Sequence, residues 1–122
     1  MDLEIIRDYC LSLPGVAEKV QWGDNLLFNV GGKMFLLYNM GMDTENRISL
    51  KCTPEKFQEM IVVENIIPAP YLARNNWICI RDGCKIRLKE LKQLISESYN
   101  LVYRKLPVKI KQEISESVKS AE

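Results

Sequence analysis

No histidine occurs anywhere in the 122 residues. Its absence removes the Ser-His-Asp and Cys-His catalytic arrangements, and with them the common side chain that titrates near neutral pH. Catalysis would have to rest on carboxylates, lysines or tyrosines, so a non-enzymatic role is expected. Zinc spacings built on Cys and His are excluded too, and none of the four cysteines forms a C-x-x-C pair, so no metal is expected. Cys10, Cys52 and Cys79 lie in apolar periodic segments and read as buried thiols, whereas Cys84 follows Gly83 in a turn and should meet solvent. No apolar run approaches the ~18 residues that span a bilayer. Met1-Asp2-Leu3-Glu4 carries acid where a secretory signal would carry positive charge, so the cytoplasm is the expected location and no membrane partner is expected. Gly31-Gly32 is not followed by a phosphate-loop pattern, Ser49-Leu50-Lys51 does not form S-x-x-K, and no cofactor is implied. Without repeats, low-complexity tracts or a linker, residues 1–122 read as one domain whose last ten or so residues fray.

What remains describes a globular chain. At 47% hydrophobic and 27% charged residues it is too apolar to be disordered. Asp2 caps a first helix with Leu3, Ile6, Cys10 and Leu13 at helical spacing, and Pro14-Gly15 stops it. Strand patterns cover Leu26 to Val30 and Lys33 to Tyr38, joined by Gly31-Gly32 as a tight hairpin. The second run is apolar on both faces and reads as central. Arg47 to Cys52 alternates, with Ile48, Leu50 and Cys52 inward and Arg47, Ser49 and Lys51 outward. Thr53-Pro54 starts a second helix buried through Phe57, Met60 and Ile61. Ile66 to Tyr71, with two prolines, can be only an edge strand, and Trp77 to Arg81 is a strand closed by Asp82-Gly83. A long helix spans Ile86 to Tyr103, and Pro107 opens a last short one. The fold class is α+β: a two-layer sandwich on an antiparallel sheet, in the order α-β-β-β-α-β-β-α.

Charge is unevenly spread. Residues 1–73 balance at −4, residues 74–111 at +7 and residues 112–122 at −2, for a net +1. A half this basic attracts polyanions even in a nearly neutral protein, although charge runs are usually only solvated faces. On the long helix Lys85, Lys89 and Lys92 align with Ser96, opposite Leu88, Leu91, Ile95, Tyr99 and Val102. These lysines are candidates to neutralise phosphates, and Arg74 and Asn75 to position a backbone or a base edge. Arg81 flanks the last strand, while Lys33 and Lys51 could extend the basic surface. Trp22 and Trp77 could each be core or surface.

Leu13-Pro14-Gly15 with Glu18 and Trp22, Val30 to Phe35, Ser49 to Cys52, Pro68-Ala69 running to Arg74 and Trp77, Ser98-Tyr99 and Leu106-Pro107 resemble the MmcQ/YjbR family of small bacterial proteins. The resemblance covers nearly the whole chain. It implies the two-layer α+β sandwich read above and DNA binding through wing-like hairpins. The chain departs from that pattern at Tyr71 and Asn76, where relatives often carry histidine. The fold implied also resembles that of small secretion chaperones. The expected function is therefore a non-enzymatic module that binds nucleic acid weakly through phosphate. The alternative is a protein-interaction or chaperone-like domain holding a partner segment, and a small-molecule enzyme ranks third.

Overall fold

The Asp2 side chain accepts a hydrogen bond from the Glu4 amide at 2.9 Å, which caps α1 (Leu3–Ser12) as the sequence indicates. The structure, a computed structural model, describes residues 2–121. After α1 come β1 (Val16–Gln21), β2 (Asn25–Val30), β3 (Lys33–Asn39), β4 (Asn46–Lys51), α2 (Pro54–Met60), β5 (Ile66–Pro68), β6 (Trp77–Arg81), α3 (Leu88–Arg104) and α4 (Val108–Ala121). All strand pairings are antiparallel, in the spatial order β1-β2-β3-β4-β6-β5. The α+β class stands, and the sheet gains a sixth strand.

That strand, β1, is where the sequence reading fell short. Val16, Glu18 and Val20 alternate with Ala17, Lys19 and Gln21, but four of the six residues are exposed and the middle is charged. An edge strand needs one apolar face at most, so its pattern is faint. Here it is held by its ladder to β2 and by the Arg7–Glu18 pair at 2.6 Å from α1.

Further details refine the expectation. β3 is central and apolar on both faces, with Met34 packed on the far side, but a register shift at Phe28/Asn29 also sets neighbouring Phe35 and Leu36 in the same core. β5 ends at Pro68, as an edge strand with two nearby prolines must. α3 begins at Leu88, with Arg87 at its cap, so Lys85 lies ahead of the helix. The expected fraying of the last ten residues includes Glu122, which lies outside the described residues; 112–121 continue α4.

The helices share one core with one sheet face, where Phe28, Val30, Leu36, Ile48, Leu50 and Ile80 are fully enclosed. α3 crosses β3 and β4. Buried Ser98 donates to the Phe35 carbonyl at 2.6 Å and accepts from the Lys51 amide at 2.9 Å. The Gly31-Gly32 turn (φ 58° and 79°) rests on the α3–α4 junction. A Cβ at Gly31 would lie 2.6 Å from a Leu106 methyl, so the tip admits no side chain there. On the opposite face a smaller cluster of Ala69, Trp77 and Cys79 is closed by Met34, Ile67 and Leu72. No helix among the described residues is long and apolar enough to cross a membrane.

Candidate nucleic-acid interface

The residues singled out from the sequence fall at two ends of the sheet. Lys51 is the last residue of β4 and its cross-strand partner is Trp77, the first of β6. The Cys52 amide donates to the Asn76 carbonyl at 2.9 Å, which draws the turn bearing Arg74 and Asn75 against the same strand end. Lys33 opens β3 at the adjoining hairpin tip. α3 returns to this end as well, and its C-cap, Lys105, comes close enough to affect Lys51. Burial first, and then the Lys105 charge, push the Lys51 ammonium below the ordinary lysine value. Lys33, Lys51, Arg74 and Lys105 form no ion pair among the described residues. Lys105 was not among the sequence-derived candidates, because only the run of α3 back over β4 reveals its place.

The remaining candidates lie towards the other end, since Lys89 and Lys105 are separated by about 24 Å of helix. Lys85 lines a hollow of about 370 Å³ together with Glu59, Glu64 and Glu90. Lys89 and Lys92 border a shallow groove shared with Tyr9 and Glu97. The side of α3 read as solvated is partly packed against α1. Lys92 Nζ sits 5.4 Å from the Tyr9 ring centroid, and the Tyr9 and Ser96 hydroxyls are hydrogen-bonded. Arg81 is engaged by Glu45 at 2.6 Å and by Asn46 Oδ1 at 3.2 Å. Arg47, read as outward, is mostly enclosed. It donates two hydrogen bonds to Asp82 and three to the carbonyls of Asn39, Gly41 and Thr44, which staples loop 39–46. The same pairing holds the Asp82 carboxyl below its usual range.

The two tryptophans separate. Trp77 is core at 6% exposure, and Trp22 is surface at 65%, in a turn where its φ is +52°. Burial pushes the thiols of Cys10 to about 12 and Cys52 to about 11 and raises Cys79, whereas Cys84 is half-buried. Among the described residues no group of three or more His, Cys, Asp or Glu could hold a metal ion. The chemistry this arrangement offers is electrostatic: lysines and an arginine on segments that share one end of the sheet, with no ion pair to a carboxylate among the described residues.

Comparison with known proteins agrees with the architecture. A Deinococcus radiodurans protein with the DUF419 domain superposes with a TM-score of 0.81 at 24% identity, covering 93% of this chain and 87% of its own. A Pseudomonas syringae protein gives 0.69 at 22% identity, covering 84% and 99%. At these identities the likeness is one of fold. Among curated proteins none matches significantly. The YjbR family model matches residues 11–101, which is most of the chain, and the protein belongs to the YjbR family.

Proposed function

We propose that this protein is a non-enzymatic module that binds nucleic acid through phosphate, at the end of the sheet that carries Lys33, Lys51, Arg74 and Lys105. The observation that carries the reading is Lys51, held near a second lysine and partly desolvated, with no ion pair to a carboxylate among the described residues. Such an arrangement disfavours its own charge until an anion arrives, whereas a purely solubilising lysine extends into water. Lys85, Lys89 and Lys92 would add a weaker contribution, because Glu59, Glu64, Glu90 and Glu97 line the same hollows. Lysines act on phosphate as point charges, so binding is expected to be largely blind to sequence. Three to five phosphate contacts would give a salt slope of roughly −3 to −5, with dissociation constants on the order of micromolar or weaker.

A salt titration by fluorescence anisotropy on mixed-sequence oligonucleotides tests this. The Lys51→Gln/Lys105→Gln variant should lose affinity and about two units of slope, at about 0.9 per contact. The Lys85→Gln/Lys89→Gln/Lys92→Gln variant should lose less. Absence of binding at low salt would sink the reading. It would favour a protein-partner module, for which the exposed side chains of Trp22 (65%) and Met42 (98%) speak. These sit on neighbouring segments at the far end of the sheet, joined by the Met40 amide to the Asp24 carbonyl at 2.7 Å.

A further inference from the structure

The segment between β5 and β6 presents one side chain that packing does not explain. Tyr71 is fully exposed, at 103% of its reference area, and its backbone sits at φ +66°. Large L side chains rarely occupy that region. A ring left entirely in water adds nothing to the core, and glycine or asparagine would suit the conformation better.

The arm beneath it is well held. Pro68 and Pro70 limit its backbone, Ala69 is buried, and Leu72 packs against the cluster of Ala69, Trp77 and Cys79. The Ala69 amide donates to the Trp77 carbonyl at 3.0 Å, the Leu72 amide to Ala69 at 3.1 Å and the Trp77 amide to Leu72 at 3.4 Å. One end of this arm carries Arg74 and Asn75, both exposed, and Trp77 at its close is the sheet neighbour of Lys51. A rigid support thus aims an aromatic ring into solvent beside cations suited to phosphate.

We infer that Tyr71 is a stacking platform for an unpaired base, so that the ligand is single-stranded nucleic acid rather than duplex. This inference rests on the phosphate-binding reading and names its substrate class. In a duplex the base faces are already stacked on one another, and only an unpaired strand can offer one to a protruding ring. With Lys51 and Arg74 on neighbouring phosphates, the ring would receive the base between them. Stacking is indifferent to base identity, which agrees with lysine-dominated contacts.

Anisotropy with three labelled probes of equal length tests the inference: an oligothymidylate, an abasic chain with the same backbone, and a duplex. The proteins are wild type, Tyr71→Phe, Tyr71→Ala and Tyr71→Gly. Wild type and Tyr71→Phe should bind the oligothymidylate tightest. Tyr71→Ala and Tyr71→Gly should bind it about five- to a hundredfold more weakly, with the abasic chain and the duplex unaffected. All four should melt within a few degrees of one another, because the ring packs on nothing. Tyr71→Gly is the safer variant, since it also suits the positive φ. Wild-type affinity for oligothymidylate in the Ala and Gly variants would overturn the platform while leaving the phosphate reading intact. Equal loss on all three probes would overturn it too, because the ring would then serve something other than a base. If none of the probes binds any of the proteins, both readings fail together.

Discussion

The two ends of the sheet use positive charge in opposite ways. At the end holding loop 39–46, Arg47 and Arg81 are spent on structure: each is paired with a carboxylate, and Arg47 makes five hydrogen bonds. At the other end, Lys33, Lys51, Arg74 and Lys105 form no ion pair with a carboxylate among the described residues. Counting cations along the chain treats these groups alike. What separates them is whether folding supplies a partner, and a planar guanidinium fits carboxylates and carbonyls better than an ammonium does.

The frame of the basic end can be broken first. Gly31→Ala would force a Cβ at φ +58° against Leu106 and Ile110, which lie 2.6–3.0 Å from its position. Urea denaturation should show a loss of about 2–4 kcal/mol. An unchanged midpoint would mean that the hairpin tip can shift away from the α3–α4 junction. At the other end, Arg47→Ala should cost about 2–3 kcal/mol and make loop 39–46 sensitive to limited proteolysis. Arg47→Lys should restore little of this, because an ammonium cannot span Asp82 and three carbonyls at once. A protected loop in both variants would remove Arg47 from its structural role.

A smaller effect sharpens the contrast directly. Lys51→Gln should leave stability within about 0.5 kcal/mol of wild type or raise it, while nucleic-acid affinity falls. Arg81→Gln should do the reverse, with some stability lost and affinity nearly kept. The pH dependence follows from the lowered pKa of Lys51. The folded chain gives up this proton more readily than the unfolded chain. Its destabilising effect is therefore present below the folded pKa and fades as pH rises towards the unfolded value. A bound anion favours the charged form, so affinity should drop as pH climbs through the lowered pKa, and Lys51→Gln should flatten that drop. An identical pH profile in the variant would refute the assignment. Smallest of all, only Cys84 should react promptly with a thiol reagent in the folded protein, with Cys10, Cys52 and Cys79 silent until denaturant is added. Four equivalents reacting at once would contradict their burial.

Much of the fold was legible because its signals are local. The Asp2 and Thr53 caps, the Gly31-Gly32 turn and the alternation from Ile48 to Cys52 each need only a few neighbouring residues. β1 was not legible, because a solvated edge strand has little apolar pattern to read. The bulge was hidden for a related reason: Phe35 and Leu36 look like a strand buried on both faces until the register with β2 is known. The site was legible only in part. Composition shows that residues 74–111 are basic and points to Arg74, while Lys51 follows only from its outward place on an alternating strand. Their neighbourhood with Lys105, and the acidic company of Lys85 and Lys89, depend on which strand end α3 returns to. No pattern within a single element carries that.

The hydroxyl of Ser98 has a consequence for how the basic end can be observed. It holds the amide of Lys51 at 2.9 Å from within a fully enclosed side chain. That hydrogen bond has to open before the amide can exchange, so its hydrogen should give way to deuterium more slowly than those of the exposed amides at this end. The residue proposed to meet the ligand would then be anchored by its backbone to a buried hydroxyl. Its nitrogen resonance would report ligand arrival at the side chain, undisturbed by local breathing of the strand.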